Sequence, residues 1–267
     1  MEFGWWNEKN CKSFLYLIEK GAPVTVETAS IVSNPSMLDV AIYHFDARDA
    51  SPEDKKNIAK ALFKRGVRCR ERIEGAERAV LYYECIVDLQ KELPSDQSPK
   101  ITIELLNTLL CGGKERQVIK NLDSLFSRGY QIPQEVEGVA TLGIAVNGDK
   151  KEVLKYLIEK RSFNINHCDS HGRTPLIYSL RQDYIISKKC FSYLLNKGAD
   201  PNGEDEDGYS ALHYAYKLGS QWDKLANIKA LIQHGAEYQK FLEKRKPFIR
   251  QALKEIEQEK ERSVPKK

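Results

Sequence analysis

Few residues of this 267-residue chain have both the type and the spacing to do chemistry. Cys111-Gly112-Gly113-Lys114 sets glycines before a lysine, yet lacks the spacing of a phosphate-binding loop. Neither a Gly-x-Ser-x-Gly elbow nor a His-Glu-x-x-His pair occurs. Glu204-Asp205-Glu206-Asp207-Gly208 gathers carboxylates as a calcium loop would, but such a loop wants ligands at alternate positions and a glutamate at the twelfth. Counted from Gly203, that position is Tyr214. His167-Cys168-Asp169-Ser170-His171 brings two imidazoles to one turn, and nothing nearby completes a four-ligand site. The six cysteines, Cys11, Cys69, Cys85, Cys111, Cys168 and Cys190, have no close pairs, which fits reduced core thiols rather than disulfides or zinc. These residues predict no enzyme, no cofactor and no metal.

The elements around these residues explain them better. Over 166–237 the chain states one pattern twice. Asp169-Ser170-His171-Gly172-Arg173-Thr174-Pro175-Leu176 leads into an apolar run and closes at Gly198-Ala199-Asp200-Pro201-Asn202. Asp205 then reopens it through Gly208, Ser210 and His213, and it closes at Gly235-Ala236-Glu237. Gly172 and Gly208 are 36 residues apart, Gly198 and Gly235 are 37. A period of this size marks a stack of supersecondary units. Within a unit the glycine permits a tight turn, Thr174 or Ser210 caps the next helix, and Pro175 takes the first helical position, where a missing N–H costs nothing. Leu176, Ile177 and Leu180, with Leu212, Ala215 and Leu218 in the next copy, stripe a first helix; Phe191, Leu194 and Leu195 mark a second, ended by Lys197-Gly198. Such a layer cannot bury its apolar face alone and must stack on neighbours.

Thr174-Pro175-Leu176-Ile177 and Ser210-Ala211-Leu212-His213 resemble the Thr-Pro-Leu-His box of the ankyrin repeat, and Gly198-Ala199-Asp200-Pro201-Asn202 resembles its Gly-Ala-Asp-Val-Asn end. The likeness covers about 137–238. It implies an all-α ankyrin-repeat solenoid with short hairpin turns, and a structural, hydrogen-bonding role for His213. Both repeats are longer than the usual ~33 residues, so extended inter-helix turns are expected near 183–188 and 220–224. In such arrays the hairpin tips and the exposed side of the first helix contact a partner protein. The positions fall on Ser170, His171, Arg173, Arg181 and Gln182 in one unit, on Glu206, Asp207, Tyr209 and Lys217 in the next, and on Glu137, Val139 and Asn147 in the unit before. Arg173, Arg181 and Tyr209 lead, because arginine and tyrosine are enriched among residues that dominate binding energy.

Elsewhere the pattern is degenerate. A helix with Phe14, Leu15 and Ile18 ends at Gly21, with Trp5 and Trp6 over its open end. Ser33 to Ser36 cap a second helix through Met37, Leu38, Ala41 and Ile42, and a third runs from Ser51 to Arg65. One long helix is predicted over 76–92 from Val80, Tyr83, Ile86, Val87 and Leu89, a helix pair over 101–110 and 117–128, and another over 138–142 and 153–158. About six units result, divided as degenerate repeats with an N-terminal cap over 1–135, well-matched repeats over 136–238, and a C-terminal capping helix with charged tail over 239–267. In that last segment Ile249, Leu253 and Ile256 share a face.

Charged residues make up 30% of the chain and the net charge is +4, so no polyanionic partner is forced. Ten Lys or Arg against five Glu in 240–267 place +5 there. No apolar run approaches the ~18 residues of a membrane span, and the first ten residues lack the order of a secretory signal. A cytoplasmic protein that binds another protein is expected, with no small-molecule substrate. Two alternatives come with it. Glu255, Glu257, Glu259 and Glu261 resemble the glutamate-rich C-terminal signal of type IV secretion substrates of Legionella-like bacteria, which implies an effector secreted into host cytosol that binds and modulates a host protein. Arg65, Arg68, Arg70 and Arg72, with the basic cap, would instead serve a nucleic-acid binder, although aromatic stacking groups are not interleaved with them.

Overall fold

The computed structural model describes residues 15–16, 19–20, 51–64, 76–95, 99–181, 187–217, 224–243 and 247–263. The expected helices around Phe14 and after Ser33, and the tryptophans at 5 and 6, lie outside these, apart from a few residues of the first. The chain divides into two compact units, Met1–Ile132 and Pro133–Lys267.

In the first unit, Ser51 Oγ accepts the Asp54 N–H at 3.1 Å and opens α1, Pro52–Lys64, with proline at the first helical position. Helix α2, Ala76–Glu92, has the bounds its apolar spacing predicts. Ala79, Tyr82, Tyr83, Ile86 and Leu89 are buried at steps of three and four, the period that puts side chains on one helical face. That face meets α1 as well as α3, Ile103–Cys111, and α4, Glu115–Ser127. Thr102 caps α3 by accepting the Leu105 N–H at 3.2 Å, and α4 ends at Gly129 with φ of +84°. Leu105, Leu106, Leu109 and Leu110 are all buried, each contributing roughly 2 kcal/mol of transfer free energy. Where α1, α2 and the end of α4 meet, the contact turns polar. Asp88 accepts from Lys56 at 2.6 Å and Lys60 at 3.2 Å, and the Tyr130 hydroxyl, itself a donor to Asp88 at 3.2 Å, accepts from Lys56 at 2.8 Å.

The second unit opens on a two-stranded hairpin, β1 (Glu135–Val136) and β2 (Val139–Ala140), antiparallel with Glu135 opposite Ala140. Its turn needs positive φ twice, +49° at Glu137 and +76° at Gly138. Four helix pairs follow: α5 (Thr141–Asn147) with α6 (Lys151–Arg161), α7 (Pro175–Tyr178) with α8 (Lys188–Asn196), α9 (Ala211–Lys217) with α10 (Lys224–Gln233), and α11 (Gln239–Glu243) with α12 (Pro247–Ser263). Layers stack: α5 lies on α7, α7 on α9, and α6 on α8. The all-α repeat architecture expected from the sequence is the one found, the strands being confined to hairpin tips. Of the extended turns expected at 183–188 and 220–224, only Ser187, Lys188 and Lys224 are described: Ser187 caps α8 by accepting the Cys190 N–H at 3.2 Å, and Lys188 and Lys224 open α8 and α10.

The last pair closes the stack. Ile249, Ala252 and Ile256 of α12 are buried against α10, with Leu253 at the border, and Lys229 pairs with Glu259 beyond them. Helix α11 is too short to show a periodicity in the sequence, and its Phe241 is buried against His213 at 4.5 Å between ring centroids.

Candidate functional site

The two hairpin tips that follow the β1–β2 turn are each built around an inward-facing aspartate. Asp169 Oδ1 accepts the backbone N–H groups of His171 at 2.9 Å and Arg173 at 2.8 Å. Its Oδ2 accepts from Arg173 Nε at 2.6 Å and from the Tyr178 hydroxyl at 2.7 Å. Asp205 repeats this one period later, accepting from the backbone of Asp207 at 3.1 Å and Tyr209 at 2.9 Å and from the Tyr214 hydroxyl at 2.5 Å. A short side chain that satisfies its own turn's N–H groups is a standard device of Asp in tight turns. Here it also ties the turn to the first helix through a tyrosine. Burial alone would raise the Asp169 pKa, but the Tyr178 hydroxyl and the donors of Arg173 and His171 outweigh it and hold the carboxyl below its usual range. Burial and the bond to Asp205 push the Tyr214 phenol up to about 12, against the nearby Arg181 charge.

The tips are joined into one row. Ser170 donates both its N–H, at 3.1 Å, and its hydroxyl, at 3.0 Å, to the Gly138 carbonyl, and Glu206 donates its N–H to the His171 carbonyl at 2.9 Å. His171 Nδ1 and Glu206 Oε1 lie 2.7 Å apart. A parallel ladder joins the turns at the other end of each layer, where Asn166 Oδ1 accepts the Asp200 N–H at 2.9 Å and Asn202 Oδ1 the Glu237 N–H at 2.8 Å. The surface positions are thereby held in fixed register.

Along this row the residues singled out by sequence fall into groups. Ser170, His171 and Glu206 carry the tip-to-tip contacts, and Asp207 is exposed beside them. Tyr209 is half-buried, with the Lys217 ammonium 3.7 Å from its ring centroid. Arg181 lies 5.9 Å from the Tyr178 ring. Arg173 lies over the same ring at 5.5 Å, but its guanidinium is engaged by Asp169 and its side chain is only 20% exposed, so much of its binding capacity serves the fold. Glu137 is exposed at the first tip, Val139 is half-buried opposite Val136, and Asn147 is half-buried at the end of α5 with its side-chain oxygen lacking a hydrogen bond. Gln182 lies outside the described residues, as do Arg65, Arg68, Arg70 and Arg72.

Sequence reading passed over Asp169, Asp205, Tyr178 and Tyr214 as a repeated quartet. The signal was present: both pairs recur at the 36-residue period. His213 accepts the Ser210 N–H at 3.1 Å on Nδ1, a bond local to the start of α9. His167 and His171, considered above as metal ligands, each face a carboxylate instead, Glu135 at 3.6 Å and Glu206 at 2.7 Å; the first distance is too long for a hydrogen bond. Among the described residues no cluster of three or more His, Cys, Asp or Glu is placed to hold a metal, and no helix is long and apolar enough to cross a membrane.

A stack of helix pairs with hydrogen-bonded hairpin tips defines a helical-repeat protein. The model of the family "Ankyrin repeats" matches residues 102–205 and 142–241, more than half of the chain, and the chain belongs to that family. The match starts at α3, further toward the N-terminus than the motifs legible by eye. Ankyrin repeat domain-containing protein 53 of Macaca fascicularis is 31% identical over 90 residues, 33% of this chain and 18% of that protein. Inversin of Gallus gallus is 40% identical over 96 residues, 36% of this chain and 8% of that protein. The putative ankyrin repeat protein L92 of Acanthamoeba polyphaga mimivirus is 46% identical over 54 residues, 20% and 13% respectively. The chain thus spans less than a fifth of each of these relatives. Ankyrin repeats generally mediate interactions between proteins and are typically non-enzymatic.

Proposed function

We propose that this chain is a non-enzymatic interaction module that binds one protein partner on the face formed by the tips and first helices of its second unit. The observation that supports the reading is the hydrogen-bonded row of tips, which holds Ser170, His171 and Glu206 in register, with Asp207 exposed beside them, Lys217 over the Tyr209 ring and Arg181 near the Tyr178 ring. Preorganised side chains at the edge of a rigid layer bind with little ordering cost. The test is quantitative co-purification with the Arg181→Ala/Tyr209→Ala/Lys217→Ala variant, which leaves the Asp169 and Asp205 bonds intact. Normal thermal unfolding with at least tenfold loss of the captured partner is expected, and undiminished capture would refute the placement.

Cytosol is the proposed location, supported by the cysteines among the described residues, Cys85, Cys111, Cys168 and Cys190, which are free thiols, Cys85 and Cys190 being buried. A second reading, secretion into a host cell, is supported by exposed Glu257 and Glu261 at the end of α12. It is tested by comparing translocation of the natural chain with Glu257→Gln/Glu261→Gln, which spares the buried Ile249, Ala252 and Ile256; equal delivery removes this reading.

A further inference from the structure

An asparagine followed by glycine can be attacked by its own backbone, because glycine carries no Cβ to hinder the approach and leaves the chain free to turn. The sequence contains this pair twice, at Asn147-Gly148 and Asn202-Gly203. The reaction is an internal substitution. At the second pair the Gly203 nitrogen bonds to Asn202 Cγ and gives up its proton, the Cγ–Nδ2 bond breaks, and ammonia leaves a five-membered succinimide behind. Water then opens either ring carbonyl, giving aspartate or isoaspartate. Water is the only co-reactant, and nothing is oxidised or reduced.

The fold treats the two pairs differently. Asn147 is the last residue of α5, and the Gly148 N–H is committed to the Ile144 carbonyl at 3.1 Å, which fixes the attacking nitrogen in the helical backbone. Asn202 lies in the turn after α8, and among the described residues no hydrogen bond engages the Gly203 N–H. Here the side chain is held instead. Asn202 Nδ2 donates to the Gly235 carbonyl at 3.0 Å and Oδ1 accepts the Glu237 N–H at 2.8 Å, so the turn of the next repeat clamps the amide. The group that must rotate toward Gly203 is free only when that turn has moved away. Asn166 fills the same place one repeat earlier, accepting the Asp200 N–H, but His167 follows it. The reactive pair is thus confined to the last joint of this ladder.

We propose that Asn202 is a modification site gated by the fold: the chain converts this asparagine to aspartate or isoaspartate when the turn over 235–237 lifts away, and the product leaves that turn permanently loosened. A carboxylate has no donor for the Gly235 carbonyl and sets an anionic oxygen where Nδ2 stood, 3.0 Å from it. Isoaspartate also lengthens the backbone by a methylene just before the tip at 204–209. The chemistry needs neither a partner nor an enzyme, so it stands independently of the binding face.

The full chain is held in mildly alkaline buffer, with and without urea, and conversion at each asparagine is followed by peptide-mapping mass spectrometry. Folding should slow Asn202 by at least about tenfold relative to urea, since only the opened fraction reacts. Ile249→Ala thins the packing of α12 on α10, the helix that leads into the 235–237 turn, and should speed Asn202 by at least about threefold while leaving Asn147 unchanged. Leu253→Ala, at the border of the same contact, is the milder variant and should act in the same direction. The converted fraction, separated by the negative charge it gains, should lose exchange protection at the Glu237 N–H by at least about tenfold and keep it at the Asp200 N–H, on the Asn166 rung. Equal rates at Asn202 in the folded chain and in urea overturn the proposal. So does an Asn202 rate unmoved by both variants, or one that rises only in step with Asn147. A converted fraction whose Glu237 amide stays as protected as before conversion overturns it as well.

Discussion

The Tyr178 hydroxyl donates to the buried Asp169 carboxylate across 2.7 Å, joining the hairpin tip to the helix that follows it. Asp169 has no solvent-accessible side-chain surface and accepts three further bonds from two residues, so it is the hub and the tyrosine one spoke. Tyr178→Phe should cost about 1 kcal/mol, the net worth of one hydrogen bond. Asp169→Ala should cost about 3 kcal/mol or more, since it strands Arg173 and two backbone donors. Urea unfolding separates the two; equal losses would show that the carboxylate is not the hub.

The same group sets an acid limit. The folded Asp169 pKa is depressed, so its contribution is present above the unfolded value of about 3.9 and is lost as pH falls through the folded one. Asp88 has the same sign: burial would raise its pKa, but the bonds from Lys56 and Lys60 lower it. At the alkaline end the sign reverses. Burial would lower the Lys56 pKa, yet the bonds to Asp88 and Tyr130 raise it, so its contribution is complete below the unfolded value of about 10.4 and is lost above it. Stability measured against pH should decline below about pH 4 and above about pH 10. Asp169→Asn should flatten the acid limb; an unchanged limb would assign it to other carboxylates.

How much of this was legible follows from how local each cause is. Helix α2 could be read over 76–92 because its apolar period runs for seventeen residues, and Thr174-Pro175 because a cap and a first-turn proline act on their own helix. Asp205 read as one of four surface carboxylates because its neighbours are acidic, and only the fold shows that it turns inward to Tyr214. Arg173 looked like a solvent-facing arginine for the same reason: its partner lies four residues back, across a turn whose shape the sequence does not state. Helix α11 has five residues, fewer than two turns, and a pattern that short carries no period.

The polar contact in the first unit should be uneven in value. Asp88, whose side chain is 18% exposed, accepts from two lysines and a tyrosine, whereas Lys64 and Glu92 meet at the surface with side chains over 40% exposed. Asp88→Ala is expected to destabilise by about 2–3 kcal/mol, leaving Lys56 half-buried without its carboxylate. Lys64→Ala should cost under about 0.5 kcal/mol. Denaturant unfolding in low and high salt checks this, with salt eroding only the Lys64 effect; a loss for Lys64→Ala that matches Asp88→Ala would contradict it.

Two glycines at equivalent positions isolate what tip-to-tip packing contributes. Gly172 and Gly208 have almost the same backbone, φ of +75° and +73°, so an added side chain pays a similar conformational penalty at each, about 1–2 kcal/mol. Their surroundings differ. A Cβ on Gly208 meets nothing within 4 Å, whereas one on Gly172 falls 3.0 Å from Asp205 Cα and 3.2 Å from the Glu204 carbonyl oxygen, both backbone of the next tip. Backbone cannot rotate away as a side-chain end can, so Gly172→Ala must part the two tips, stretching the bond from the Glu206 N–H to the His171 carbonyl. Gly172→Ala should therefore be the more destabilising by at least about 1 kcal/mol, the worth of that bond. Amide hydrogen exchange supplies a second readout: the Glu206 N–H should lose protection in Gly172→Ala and keep it in Gly208→Ala. Equal stability losses with Glu206 still protected would mean that the tips are not held together as a row.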